Sequence, residues 1–224
     1  MKILRIKSAP STNDYVLRFV KSGEDTVVVS NLQTSGRGTK GRSFSSPEGG
    51  IYLSRLKFYD DLYARDAFSI IRDASVAVVK TLLAFNVKAK IKWPNDILVD
   101  GKKICGMLTE NKLDGEKVTY SVIGIGLNVN NEIPPELKDI AVSMRELVGE
   151  QNLESVLMTL LFNLSVKSEI GQYVGYSCVL GKEVTVTENE KTYTAVVKEI
   201  LDDGRIEFDD GRTVSSAEIK LRIK

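Results

Sequence analysis

Residues 36–42, GRGTKGR, set three glycines (Gly36, Gly38, Gly41) among three cations (Arg37, Lys40, Arg42). Glycines let successive backbone N–H groups turn toward one concave spot, and arginine binds carboxylate or phosphate through two parallel N–H bonds. The chemistry on offer is anion binding. The spacing fits G-x-G-x-x-G and, with Arg42 where lysine belongs, nearly fits G-x-x-x-x-G-K-[ST]. Both of those phosphate loops open a helix, whose N-terminus completes the site. Here RSFSSPEGG follows, and Pro47, Gly49 and Gly50 forbid a stable helix. The loop therefore joins two strands, either as another kind of anion loop or as a solvated hairpin tip.

A second stretch, KWPNDILVDGKKICG, places Lys92, Trp93, Asn95 and Asp96 just before a hairpin whose turn is Asp100-Gly101. Lys103 lies on the returning strand, across the ribbon from Asp96. Side chains alternate along a strand, so either Lys103 or Lys102 faces the working side of the sheet. Each residue also has a plain structural reading: Trp93 as core, Asn95-Asp96 as a turn cap, Lys103 as a surface lysine. The chain has no histidine, which excludes Ser-His-Asp, Cys-His and His-liganded metal chemistry. Catalysis must run on Lys, Arg, Asp, Glu, polar side chains and backbone groups.

The elements that must position these residues follow from pattern. KILRIKS, TVVVSN and GGIYLSRLKF read as strands, with the glycine loop between the last two. STNDYVLRFVKSG reads as a helix capped by Ser11 or Thr12 and stopped by Gly23. Residues 65–85 and 152–170 read as long helices, the second capped by Asn152. AKIKW, DILVD, KKICGMLTE and KVTYSVIGIGLNVN are further strands, joined by hairpin turns at Asp100-Gly101 and Asp114-Gly115; EIPPEL is a loop. After residue 176 only short strands and tight turns remain, at Asp203-Gly204 and Asp210-Gly211. The expected architecture is α+β, with a mixed, mostly antiparallel sheet over 1–176 and a small SH3-like β module over 177–224.

Composition sets outer bounds. The 224 residues carry 31 Lys+Arg against 30 Asp+Glu, a net charge of +1, so no basic field suits nucleic acid. MKILRIKSAPSTND has neither the apolar run of a signal peptide nor that of a membrane span. Cys105 and Cys178 stand far apart, with no disulfide framework or zinc spacing, and a reducing cytoplasm is the expected setting.

Four pieces, in order, resemble the biotin protein ligases: STND, QTSGRGTKGRSFSSPEGG, IKWPNDILVDGKKICGMLTE and GIGLNVN. The match runs across most of residues 8–130, and KWPND together with the GRG loop is highly specific. The resemblance implies an α+β domain related to class II aminoacyl-tRNA synthetases and lipoate ligases. It also implies a reaction in two steps. Biotin's carboxylate attacks the α-phosphate of Mg-ATP to give biotinyl-5′-AMP; a lysine of a biotin carboxyl carrier protein then takes the biotinyl group. On that likeness Lys103 contacts the carboxylate and α-phosphate. Ser11, Thr12, Asn13 and Gln33 match residues at the biotin head group, and Gly36, Arg37, Gly38 and Thr39 match its loop. Arg37, Arg42 and Lys103 serve the nucleotide, Phe44 packs on adenine, and Asn128 lies near the adenine edge. Asp96 orients Lys103, the metal or the incoming amine; no residue set is assigned as a metal site. A homodimer is the family expectation.

The chain departs from the family at Thr39, where members often carry an arginine that helps hold carboxylate and phosphate. That bears on how firmly an acyl-adenylate is retained, and Lys40 is the neighbouring cation. Cys105 stands where alanine is usual and reads as a small buried side chain. About ten residues precede STND, too few for a DNA-binding fold, so a ligase without repressor activity is expected. Two alternatives stand beside this: a lipoate or octanoate ligase, which needs an apolar tunnel instead of polar head-group partners, and a sensor that binds biotin or nucleotide without turnover.

Overall fold

The computed structural model describes residues 1–188 and 191–215, and the backbone of 219–223. Residues 189–190, 216–218 and 224 of the expected small module lie outside the described residues. In chain order the elements are β1 (Lys2–Ala9), α1 (Thr12–Val16), β2 (Thr26–Gln33), β3 (Ile51–Phe58), α2 (Phe68–Ala84), β4 (Lys90–Lys92), β5 (Asp96–Val99), β6 (Lys102–Asp114) and β7 (Lys117–Leu127). Then follow α3 (Met144–Val148), α4 (Leu153–Asn163), α5 (Ile170–Tyr176), β8 (Glu183–Glu188), β9 (Lys191–Ile200), β10 (Ile206–Phe208), β11 (Thr213–Val214) and β12 (Ile219–Ile223).

Strands β1 to β7 form one sheet in the order β1-β2-β3-β7-β6-β5-β4, and β8 to β12 form a second, β11-β10-β9-β8-β12. Only β1 and β2 pair in parallel; the other pairings in the large sheet are antiparallel. This is the α+β architecture the sequence pattern predicts.

Alternation along β3 and β7 divides the large sheet into two faces. Leu53, Ile123 and Ile125 point to one side, into the same buried core as Val78 and Leu82 of α2 and Leu160 of α4. Leu56 and Val122 point to the other, where they pack with Val28 under Val16 of α1. Helices thus seal one face, while short α1 covers only part of the opposite one. The uncovered part holds the cavity described below.

The second sheet is not independent of the first. Val184, Val186, Val197 and Phe208 belong to the same continuous core as α2 and the large sheet. Trp93 is buried, and its Nε1–H donates to the Gly204 carbonyl at 2.8 Å. The core reading of Trp93 is the one the structure adopts, with the indole joining the two sheets.

Three local expectations need correction. The helix expected over 152–170 stops at Asn163, and a separate α5 starts at Ile170. Between them Asp73 of α2 takes bonds from the Ser168 backbone N–H and hydroxyl, a tertiary competitor for helical bonding. The helix after Ser11 is α-helical only to Val16 and continues as a 3₁₀ segment, Leu17–Ser22, before Gly23 ends it at φ 66°. Helix α3 was not expected, although Ser143 and Glu146 form a reciprocal capping box visible as S-x-x-E. No helix among the described residues is long and apolar enough to cross a membrane.

Candidate active site

The floor of the site is bare backbone. Gly106 of β6 and Gly126 of β7 are paired directly across the two strands, and Gly124 lies two residues back along β7. A Cβ at Gly126 would stand 2.4 Å from the Phe44 ring, and one at Gly106 would stand 2.6 Å from Lys103 Cε. A Cβ at Gly124 would stand 2.2 Å from Asn13 Oδ1. Side chains from the loop, from α1 and from β6 therefore lie directly on the strands, where any residue larger than glycine would exclude them.

The choice between Lys102 and Lys103 is made by a β-bulge. Against β5, Leu98 pairs with Lys103 but Ile97 pairs with Cys105, so Ile104 is the extra residue. Ile104 and Cys105 both turn into the core, and the alternation is reset so that Lys103 and Gly106 share the site face. Lys103 Nζ lies 2.7 Å from Asp96 Oδ1, with the two side chains 33% and 24% exposed. Lys102 turns away, its ammonium donating to the Lys138 carbonyl. Asn95 Nδ2 donates to the Met107 carbonyl and Met107 N–H donates to the Asn95 carbonyl, fixing KWPND onto β6. Cys105 is fully buried, and burial, which outweighs the opposing charge of Lys103, drives its thiol well above the ordinary range and leaves it inert.

At the α1 end, polar side chains form a continuous chain of bonds. The Thr12 N–H and hydroxyl both donate to Gln33 Oε1, at 2.8 and 2.9 Å, and Gln33 Nε2 donates to Ser46 Oγ. Ser54 Oγ lies 2.8 Å from Thr12 Oγ1 and donates to Asn13 Oδ1 at 2.5 Å. Asn13 Nδ2 donates to Glu110 Oε2 at 2.6 Å. Ser11, Thr12 and Asn13 are at most 4% exposed, with Ser11 at the N-cap of α1. Sequence reasoning missed Ser54 and Glu110. Ser54 is a small polar residue in an apolar strand, and that mismatch was the available signal.

The glycine loop is a hairpin closed on itself, which corrects the picture of an open nest. Gly38 N–H donates to the Arg42 carbonyl, Phe44 N–H to the Gly36 carbonyl and Gln33 N–H to the Ser46 carbonyl. A Cβ at Gly36 would stand 2.4 Å from the Phe44 carbonyl oxygen, so Gly36 lies at the base of the loop and not on the cavity wall. Lys40 takes a left-handed φ of 57° and is exposed. Arg42 folds back onto Thr39, donating from Nη2 to its hydroxyl and from Nε to its carbonyl. Arg37 Nη2 lies 2.7 Å from Asp14 Oδ1 and 3.1 Å from Glu110 Oε2.

Residues from α1, the glycine loop, β6 and β7 open onto one cavity of about 420 Å³. Ser11, Thr12, Asn13 and Gln33 line one end; Arg37, Gly38, Thr39 and Arg42 line the loop side. Asp96 and Lys103 face them, with Lys103 Nζ 5.5 Å from the centre of the Phe44 ring. The far wall is apolar, from Leu98, Ile133, Leu137 and Ile140. Asn128 also lines the cavity, but its amide is engaged: Nδ2 donates to the Val142 carbonyl and Oδ1 accepts from Asn131. The arrangement offers a polar pocket for a neutral hydrogen-bonding group, a cationic middle, and an apolar slot with an aromatic ring.

A model of the biotin/lipoate A/B protein ligase family matches residues 5–128, more than half of the chain. The bifunctional ligase/repressor BirA of Bacillus subtilis is 43% identical over 133 residues, covering 57% of this chain and 41% of that protein. The chain thus spans less than half the length of that relative. The biotin–[acetyl-CoA-carboxylase] ligase of Mycobacterium tuberculosis is 29% identical over 224 residues, covering 91% of this chain and 82% of that one. Among solved structures, the biotin protein ligase from Aquifex aeolicus in complex with biotin and ATP superposes with a TM-score of 0.81 at 27% identity, over 100% of this chain and 99% of the other. Sequence match, fold and cavity agree: the chain belongs to the biotin/lipoate A/B protein ligase family.

Proposed function

We propose that the protein attaches biotin to a specific lysine of a biotin carboxyl carrier protein, through biotinyl-5′-AMP. The observation that carries this reading is the sharing of one cavity by the Thr12–Asn13–Gln33 network and the Lys103–Asp96 pair. A cyclic urea both donates and accepts, which suits the amides and hydroxyls at the α1 end. The biotin carboxylate then falls in the cationic middle, facing the α-phosphate of ATP, with adenine in the apolar slot against Phe44 and near Asn128.

In the first step a carboxylate oxygen bonds the α-phosphorus and the bridging bond to the β-phosphate breaks, releasing pyrophosphate. Two anions must approach, and Lys103, held by Asp96, brings a fixed positive charge to that point at no reorganisation cost. Arg37 and Arg42 add charge from the loop side. In the second step the carrier lysine amine bonds the acyl carbon and the C–O bond to AMP breaks. AMP is a good leaving group, so a strong base is unnecessary in a chain without histidine.

Among the described residues no group of three or more His, Cys, Asp or Glu side chains is placed to hold a metal. Asp96 is the carboxylate on the cavity wall, and Mg²⁺ keeps its waters and is held by substrate phosphates with one or two carboxylates, of which Asp96 would supply one. Bound there, Mg²⁺ would neutralise phosphate charge.

The lipoate or octanoate alternative is disfavoured because an apolar acyl tail would leave the second N–H of the buried Asn13 amide, which bonds Glu110 through the other, without a partner. Residues 1–176 form the proposed catalytic unit and 177–224 the small β unit, and a homodimer in the cytoplasm remains part of the proposal. The test is direct. With ATP, a carrier domain and either biotin or lipoate, pyrophosphate release and carrier labelling are expected with biotin alone. Labelling by lipoate, or binding without pyrophosphate release, selects the other readings.

A further inference from the structure

Asn13 of the head-group pocket and Arg37 of the glycine loop lie on different elements, yet one side chain touches both. Glu110, on the site face of β6, takes the Asn13 Nδ2–H on Oε2 at 2.6 Å and lies 3.1 and 3.2 Å from Arg37 Nη2 through its two oxygens. The first of these contacts reaches a residue that is only 4% exposed. We propose that Glu110 is a positioning residue that aligns the head-group amide and the loop guanidinium together, an inference that rests on the biotin ligase reading above.

An Asn amide has two N–H donors and an oxygen with two lone pairs. Ser54 uses one lone pair of Asn13 Oδ1 and Glu110 uses one N–H of Nδ2, so the amide cannot flip without losing both bonds. One donor and one lone pair are left for a ligand, in fixed places, which matches a cyclic urea. Gly124 lies under Asn13 Oδ1 with no room for a Cβ, so the amide is also held from below.

The same carboxylate sets Arg37. All three of its described side-chain bonds, to Asp14 and to the two oxygens of Glu110, run through Nη2. The Nε and Nη1 edge is the one available to an anion. A guanidinium has five N–H groups in a rigid fork, so anchoring one nitrogen orients the rest. An ordinary exposed ion pair contributes little and holds nothing else. Here the carboxylate has a buried amide as its second partner, and losing it would unlock both ends of the cavity.

The experiment compares the full-length wild type with Glu110→Ala and Glu110→Gln, measuring Tm and the biotin dependence of pyrophosphate release. Glu110→Ala removes a charge-assisted bond to a buried amide, and a biotin KM raised about ten-fold or more, with a lower kcat, is expected. In Glu110→Gln the Oε1 atom still accepts from Asn13 but the charge holding Arg37 is gone. Its KM should return to within about three-fold of wild type while kcat stays reduced by about five-fold. Tm should move little in either variant. Wild-type KM and kcat in Glu110→Ala would overturn the inference, as would equal losses in both variants together with a lowered Tm. Wild-type protein that releases no pyrophosphate with biotin and ATP overturns the functional reading itself, and this inference with it.

Discussion

The two ends of the cavity are built on opposite plans. At the α1 end, Thr12, Asn13, Gln33 and Ser54 form a connected hydrogen-bonded set, and Ser54 is wholly buried. At the loop end Arg37, Lys40 and Arg42 are exposed, and both arginines are bonded to groups of the protein itself. A neutral ligand gains only a modest net amount from each hydrogen bond, so its partners must be aligned before it arrives. An anion is attracted over a longer range, so the cations that meet it can start from exposed positions on a loop. Lys103 stands between the two plans: charged like the loop, but braced by Asp96 on a strand.

That contrast ranks the expected effects. Lys103→Ala removes the cation that Asp96 braces on a strand, and adenylation measured by pyrophosphate release should fall by about 10²- to 10³-fold, the range for a lost transition-state donor. Unchanged release would remove Lys103 from the chemistry and leave the exposed arginines to do it.

Gly124→Ala attacks the prearranged end. Its Cβ would fall 2.2 Å from Asn13 Oδ1, so Asn13 must move, and overpacking of this kind costs about 1–3 kcal/mol. Biotin affinity should weaken by about ten-fold while ATP affinity changes little. Equal loss of both ligands would show that the two ends do not act separately.

The gentlest test needs no mutation. Hydrogen exchange in residues 36–44 should slow on adding biotin and ATP, while the amides of Thr12 and Gln33, already bonded inside the protein, should change little. Equal protection at both ends without ligand would contradict a loop that orders over its substrate.

Much of the fold was legible because its signals are local. β-branched runs marked β2 and β7, Asn152 capped α4, and Asp100-Gly101 formed the expected tight turn with φ of 48° and 81°. The break between α4 and α5 was not legible, because the segment that separates them bonds through Ser168 to Asp73 of α2, ninety-five residues away. Glu110 sits inside a stretch that resembles the family motif, yet nothing next to it in sequence points to Asn13 or Arg37.

Residue types and order alone determined which chemistry is open to this protein: no histidine, a glycine and arginine turn between strands, and one hairpin bearing Asp96 and Lys103. They also determined the α+β class, since helix and strand periods are written in neighbouring residues. Only the tertiary structure decided which lysine faces the cavity. Strict alternation would put Lys102 beside Gly106, and the extra residue Ile104 shifts the phase so that Lys103 takes that place. A bulge exists only relative to a partner strand, which is why β6 read by itself left the two lysines equivalent.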